Sequence, residues 1–218
     1  GSSNVAVGKE ALYFNTTASN NTAVGYQSLY ANTTGAQNTA LGRNAMLSNT
    51  TASNTTGLGY GALRDNTTGD GNTAVGRLAA ATNTTGNYNT ALGNAALYVS
   101  TTGANNTALG YESLQANTTA SNNTAVGYQA GYTNSTGDAT TAIGVAALYT
   151  NTTASNNTAV GYQAGYLNTT GHTNASFGHQ SGYAITTGTN NSFFGASSGN
   201  QITTGSKNTV LGAFHGNQ

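Results

Sequence analysis

The stretch NTAVGYQAGYTNSTG, from Asn123 to Gly137, returns almost unchanged as NTAVGYQAGYLNTTG, from Asn157 to Gly171. A shorter period underlies this likeness. One glycine recurs at every seventeenth position, with no insertion or deletion, at Gly8, Gly25, Gly42, Gly59, Gly76, Gly93, Gly110, Gly127, Gly144, Gly161, Gly178, Gly195 and Gly212. A fixed period of this kind indicates a repeat protein, in which each unit stacks on the one before it.

The repeats account for nearly the whole chain. The consensus unit is N-T-A-V-G-Y-Q-A-L-Y-x-N-T-T-G-x-N, and the positions below are numbered from its first Asn. Residues 4–207 make twelve complete repeats, and residues 208–218 are a truncated thirteenth. Residues 1–3 lie outside the frame, and we interpret them as a leader or the remnant of a tag.

Composition excludes several classes of protein. Charged residues are 5% of the chain, against about 25% in ordinary domains. The net charge is zero, and the cations Lys9, Arg43, Arg64, Arg77 and Lys207 are scattered singly along the sequence. A nucleic-acid interface needs a basic surface, so this balance argues against one. No apolar run is long enough to span a membrane, and without cysteine there is no disulfide framework.

The repeat favours strands over helices. Each unit is rich in Gly, Thr and Asn, which are weak helix formers. Low hydrophobicity is also typical of disorder, but a strict period argues against that, because disordered tracts have nothing to hold their register. The sequence therefore predicts an all-β fold: a parallel β-solenoid, or β-roll, with short strands joined at Gly and Asn corners.

Apolar residues occupy fixed positions in the unit. The third position is small, as in Ala23 and Ala40, and so is the eighth, as in Ala45 and Ala62. The fourth position is always large, and we expect it to form the structural core, at Val7, Val24, Leu41, Leu58, Val75, Leu92, Leu109, Val126, Ile143, Val160, Phe177, Phe194 and Leu211.

Neighbouring residues of a strand point to opposite faces, so apolar third and fourth positions indicate a strand covered on both sides. Together with the small eighth position, this predicts several chains packed around a common axis, as a homotrimer. The alternative is that the small residues simply fit a narrow solenoid interior.

Asparagine recurs at the first and twelfth positions. In stacked coils these side chains lie directly above one another, and their amides are expected to form hydrogen-bonded ladders. Such ladders would stabilise a chain that has few large apolar residues.

The string NNTAVG, at residues 20–25 and 122–127, resembles the NSVAIG-type repeat of trimeric autotransporter adhesin heads, which implies a trimer of left-handed parallel β-rolls. The whole array, from Asn4 to Gln218, resembles more closely the NTAVGYQALYxNTTG arrays of bacteriophage tail fibres and tail-fibre-like surface proteins. The ending from Asn190 to Gln218 is similar to the stretch that closes such arrays before a distal module, often an autoprocessing chaperone. The resemblance therefore implies a shaft without its tip.

No catalytic, cofactor or metal site is predicted. The carboxylates Glu10, Asp65, Asp70, Glu112 and Asp138 are not expected to form a close pair, and catalysis needs clustered titratable groups. The histidines, which match no zinc-binding spacing, are interpreted as surface residues: His172, His179 and His215. We expect the chain not to be an enzyme.

Tyrosine and threonine recur as well, and their roles stay open. Tyrosines at the sixth and tenth positions favour packing between coils over sugar binding. Thr17 and its equivalents form a column that could suit ice, although the two threonines of each NTT triplet are adjacent and point opposite ways. The same triplets are glycosylation sequons at Asn15, Asn32, Asn117 and Asn151.

Two functions follow from the sequence. The first is a structural fibre shaft, extracellular or part of a virion, that spaces a receptor-binding tip from its anchor. Its partners would be further copies of itself and, through the tip, a cell-surface glycan or receptor. The second is a solenoid that adheres to ice or glycan through its Asn/Thr face.

Overall fold

The computed structural model describes residues 1–213. The predicted fold is confirmed: the chain is an all-β parallel solenoid with a 17-residue coil, about twelve turns in all. Two compact units divide it, one from Gly1 to Asn106 and one from Thr107 onward. Each coil contributes one three-residue strand, and the rest of the coil turns back beneath the next strand.

The first unit contains six strands: β1 (Val5–Val7), β2 (Thr22–Val24), β3 (Thr39–Leu41), β4 (Thr56–Leu58), β5 (Thr73–Val75) and β6 (Thr90–Leu92). Successive strands pair in parallel with a register of one repeat, so that Ala23 lies beside Ala40 and Val75 beside Leu92. Identical positions of the consensus therefore stack in columns.

The second unit contains seven described strands: β7 (Thr107–Leu109), β8 (Thr124–Val126), β9 (Thr141–Ile143), β10 (Thr158–Val160), β11 (Ala175–Phe177), β12 (Ser192–Phe194) and β13 (Thr209–Leu211). Their register is the same, with Val126 beside Ile143 and Phe177 beside Phe194. The truncated repeat thus supplies a strand, while its last residues, 214–218, lie outside the described part.

The glycine that follows each strand is required by two independent constraints. Gly42 has φ +135°, and a Cβ on it would lie 2.5 Å from the carbonyl oxygen of Gly59 in the next coil. Any side chain would therefore both strain the backbone and collide with the neighbouring coil. This accounts for the unbroken column of glycine in the sequence.

Leucine takes an unusual conformation at the ninth position. Leu29 and Leu63 have φ of 52° and 51°, in the left-handed region that non-glycine residues rarely adopt. Both side chains are fully buried. The backbone N–H of Leu29 also donates to Ala45 O of the next coil at 2.9 Å. Burial and coil-to-coil bonding hold the chain in this turn despite the local strain.

The interior of each coil is filled by residues that compensate one another in size. Most coils place a buried alanine at the third position against a buried Leu or Met at the ninth. Where the third position is Phe193, the adjacent ninth positions are Gly182 and Gly199, whose added Cβ atoms would lie 2.8 and 2.5 Å from the Phe193 ring. The packing is therefore specific although the side chains are small.

The fourth position differs from expectation. Within the chain its side chains point away from the interior, and Leu41, Leu92 and Phe194 are 44%, 42% and 41% exposed. The third position fills the coil instead, as Ala40 and Ala91 are fully buried. The single chain's core therefore does not include the residues we predicted, at Val7, Val24, Leu41, Leu58, Val75, Leu92, Leu109, Val126, Ile143, Val160, Phe177, Phe194 and Leu211.

The eighth position also has a different role from the one we favoured. Ala45, Ala62 and Ala130 are fully buried inside their own coils. Ser28 uses its hydroxyl to donate to Ala40 O of the next coil at 2.9 Å. These small residues fit a narrow solenoid interior, and they are not available to another chain.

Candidate functional site

Each unit has an outer strand face, which we define as the second- and fourth-position residues of the repeat, the first and last residues of each strand. The second position is mostly threonine and the fourth is aliphatic or aromatic, with no charged residue in either column of β1–β13. Stacking continues across the face, as the rings of Phe177 and Phe194 lie 5.1 Å apart and 3° from parallel. The outer strand face thus combines a threonine column with a column of large apolar side chains, both half-buried or exposed in the single chain.

The predicted ladder of asparagines at the twelfth position is confirmed. In the first unit, Asn49 Nδ2 donates to Asn32 Oδ1 at 2.9 Å, and Asn66 Nδ2 donates to Asn49 Oδ1 at 3.1 Å. In the second unit, Asn151 Nδ2 donates to Asn134 Oδ1 at 2.7 Å. Each amide also closes its own corner, as Asn49 does by donating to Ala52 O.

Asparagines at the first position form a second ladder with a different pattern. The backbone N–H of Asn38 donates to Asn21 Oδ1 at 2.9 Å, and Asn38 Nδ2 donates to Ala52 O at 2.8 Å. In the second unit, Asn191 bonds in the same way to Asn174 and Gly205. These side chains therefore replace backbone partners that the coil corners lack.

The glycosylation sequons have buried asparagines. Asn32, Asn117 and Asn151 are fully buried, and their amides are held at the corners by hydrogen bonds to Gly35, Ala120 and Ala154. Asn15 is half-buried and donates to Ala18 O. Transfer of a glycan to a side-chain amide requires access to it, so the folded coils do not present Asn32, Asn117 or Asn151 for that reaction.

The two threonines of each NTT triplet have separate roles. The first donates its hydroxyl to a carbonyl of the next coil, as Thr50 Oγ1 does to Thr67 O at 3.0 Å and Thr169 Oγ1 does to Thr186 O at 3.1 Å. The second, as in Thr51 and Thr170, is exposed. The Asn/Thr face therefore offers solvent one free threonine column, because its asparagines and first threonines are bonded within the coils.

Tyrosines at the tenth position stack along the second unit. Tyr132, Tyr149, Tyr166 and Tyr183 have successive ring centroids 5.1, 5.1 and 5.2 Å apart, within 8° of parallel. Burial against neighbouring rings raises the pKa of Tyr149 and Tyr166. Both faces of the inner rings are covered by tyrosine, an arrangement that favours packing between coils over sugar binding.

A mixed column occupies the sixth position of the first unit. The cations of Lys9, Arg43 and Arg77 alternate with the rings of Tyr26 and Tyr60, and each cation lies 5.8–6.0 Å from a ring centroid. Coiling thus gathers residues that are scattered singly in the sequence. We call these five residues the cation–tyrosine column.

Several charged side chains outside this column have hydrogen-bond or ion-pair partners of their own. Glu10 and Glu112 accept hydrogen bonds from Gln27 and Gln129 at 2.7 and 2.8 Å. Arg64 forms a two-point ion pair with Asp65, with its shorter contact at 2.6 Å, and this raises the Arg64 pKa through the hydrogen bond.

Two other observations bear on ligand sites. The exposed ring of His179 stacks on Tyr162 at 5.2 Å, while His215 lies outside the described residues. In residues 1–213 we find neither a cavity nor a cluster of His, Asp and Glu side chains that could hold a metal ion. Among the same residues, no helix has the length and apolar character needed to cross a membrane.

Fold and surface together define a β-solenoid repeat protein. The chain matches no family model, no curated protein and no solved structure. Its function must therefore be inferred from the columns themselves.

Proposed function

We propose that this chain is a segment of an extracellular fibre shaft, from a phage tail fibre or a cell-surface appendage, which spaces a receptor-binding tip from its anchor. The observation that carries the proposal is the unbroken register within each unit. Successive strands keep the same 17-residue register in each unit, and most coils repeat the asparagine corner bonds, so length is added with little change of cross-section. A shaft needs length and stiffness more than chemistry.

The proposed shaft is a homotrimer whose chains meet through the outer strand face. This face carries no charged residue in either unit, and its fourth-position side chains are large, apolar and half-buried or exposed, as at Val126, Leu41 and Phe194. Apolar contact stabilises by about 25 cal/mol per Å² removed from water. A further copy of the chain has columns with the same spacing, so its side chains can interdigitate with these coil by coil.

Paired substitutions in one coil test the trimer. Light scattering of the parent chain is expected to give three times the chain mass of 21.8 kDa. Val126→Asp, on the outer strand face, should lower the mass towards the monomer and leave the far-ultraviolet circular dichroism of the coils intact. Ala125→Asp, which places a charge in the fully buried third position, should unfold the coil. The exposed control Thr119→Asp should change neither property.

A parent chain that scatters as a monomer would end the trimer proposal. The shaft itself is tested by immunogold electron microscopy of the source particles or cells, with antibody raised against residues 4–207. We expect label along fibres outside the cell or virion body. Label confined to the cell interior would contradict the proposal.

A further inference from the structure

The cation–tyrosine column projects a line of hydrogen-bond donors from the first unit. Lys9, Tyr26, Arg43, Tyr60 and Arg77 are all exposed. A guanidinium that packs its face near a tyrosine ring keeps its N–H edges free to bind an anion, and the tyrosine keeps its hydroxyl. The column therefore presents donors at successive coils, at intervals of about 4.8 Å.

The charges of the column are largely uncompensated. Neither Arg43 nor Arg77 forms an ion pair among the described residues, whereas Arg64 is neutralised by Asp65 in a different column. Lys9 lies 4.0 Å from Glu10 and is partly compensated. Arg43 and Arg77 are thus the two free cations of the column, and they are two coils apart.

We propose that the cation–tyrosine column binds a linear acidic polysaccharide with one anionic group on every second sugar. Arg43 and Arg77 lie about 10 Å apart along the coil axis, as two coils at strand spacing require. In an extended polysaccharide, successive sugars advance by a distance comparable to one coil, so alternate sugars meet alternate coils. The anion of one disaccharide binds Arg43 and the next binds Arg77, while the Tyr60 hydroxyl donates to the neutral sugar between them.

Other polyanions fit the column less well. Single-stranded nucleic acid is bound largely through bases that stack on open aromatic faces, but here the faces of Tyr26 and Tyr60 are occupied by cations. Phosphates of one strand of duplex DNA advance by about 3.4 Å along the helix axis and wind around it, so a straight column with cations about 10 Å apart would face few of them. Acidic residues at alternate positions of an extended peptide are about 7 Å apart, which does not match two coils.

Titration calorimetry of the full chain tests the proposal at low ionic strength, with hyaluronan oligosaccharides as the probe, because they have a carboxylate on every second sugar. We expect binding that weakens as salt is added. The double variant R43Q/R77Q should weaken it at least about tenfold, since hydrogen bonds to charged groups are worth more than neutral ones. The control Arg64→Gln, which removes a cation from another column, should leave the Kd unchanged.

A second variant separates the tyrosine hydroxyls from the charges. Tyr26→Phe with Tyr60→Phe keeps the rings beside the cations and should weaken binding about threefold, the loss of a modest net hydrogen bond. Circular dichroism of each variant must match the parent. The proposal is overturned if the parent does not bind hyaluronan, if R43Q/R77Q binds as the parent does, or if oligo-dT or polyglutamate of equal charge binds equally well.

Discussion

Asn49 Nδ2 donates a 2.9 Å hydrogen bond to Oδ1 of Asn32 in the preceding coil, and both side chains are fully buried. This contact is one rung of a ladder that joins coils through side chains, in addition to the backbone bonds between strands. Its energetic importance is open to measurement because each rung can be removed alone.

Asn49→Ala should destabilise the first unit by about 3 kcal/mol. The change removes the hydrogen bond that satisfies the buried Asn32 Oδ1 and one of the two bonds made by each of Ala52 O and Asn66 Nδ2. A buried unsatisfied group costs about 1–3 kcal/mol. Urea denaturation measures the effect. The control Thr51→Ala, exposed at the same corner, should lie within about 0.5 kcal/mol of the parent; equal losses in the two variants would contradict a special role for the ladder.

Ser100→Asn should stabilise the first unit by about 1 kcal/mol. The ladder stops at Ser100, where Asn83 Oδ1 and Ser100 Oγ are both buried without a hydrogen-bond partner. Asparagine occupies this position in the five preceding coils, so the added amide fits and can donate to Asn83. Thermal denaturation should show a higher Tm, whereas Thr102→Asn on the exposed column should show no increase. A lower Tm for Ser100→Asn would mean that this corner has no room for the amide.

Phe193 and Gly199 should show strong energetic coupling. Phe193→Ala leaves a cavity and should cost about 3–5 kcal/mol. Gly199→Leu alone should be at least as damaging, because even a Cβ would lie 2.5 Å from the Phe193 ring. The double variant restores the Ala/Leu pairing of the other coils and should be more stable than either single variant. A double-mutant cycle with additive losses would show that the two positions do not share one space.

Alkaline pH should destabilise the second unit through Tyr149 and Tyr166. Burial raises the pKa of both phenols above 10.0 in the folded chain. The contribution of these neutral phenols to the free energy of unfolding is therefore fully present at pH values below their pKa in the unfolded chain. It is lost as the pH rises through their higher pKa in the folded chain. Urea midpoints between pH 8 and pH 12 should fall less steeply for the variant with both tyrosines changed to Phe. Parallel profiles for parent and variant would exclude these phenols as the cause.

Deletion of residues 123–139 should be tolerated, because it removes one repeat and keeps every later column in place. Solenoid stability is roughly a sum over neighbours, so the loss should be limited to about one coil's contribution. Deletion of residues 124–139, one residue fewer, should cause aggregation, since it shifts the later strands to the wrong face. Size-exclusion chromatography distinguishes the two. Similar elution of both variants would mean that a coil of one repeat is not the structural unit.

The period, the parallel stacking and the asparagine ladders could be predicted from the sequence, because in-register coils place equal positions above one another. Which side of the strand points into the coil could not be predicted. Ala40 and Leu41 are both apolar, and a large residue such as Leu41 is ordinarily assigned to the interior. Leu29 fills that space instead, from a left-handed backbone conformation that sequence patterns do not favour for leucine.

The cation–tyrosine column was missed for a different reason. Lys9, Arg43 and Arg77 are separated from one another by two repeats of the sequence, and as single residues they give no signal of a basic surface. Aligning the repeats by position would have placed them in one column. The ring-to-cation distances depend on side-chain packing that the period does not specify. So does the absence of an ion pair at Arg43 and Arg77 among the described residues.

The left-handed ninth position also bears on how such an array can grow. In the second unit this position alternates as Leu114, Gly131, Leu148 and Gly165. The leucine of the preceding coil fills the space that a side chain on each of these glycines would occupy. A gene duplication of two coils copies leucine and glycine together and preserves every filled space, whereas loss of the coil with Leu148 would place Gly165 next to Gly131 and leave a void. Growth by two repeats therefore keeps this packing intact in this part of the chain, and two repeats is also the offset that separates its two most similar stretches.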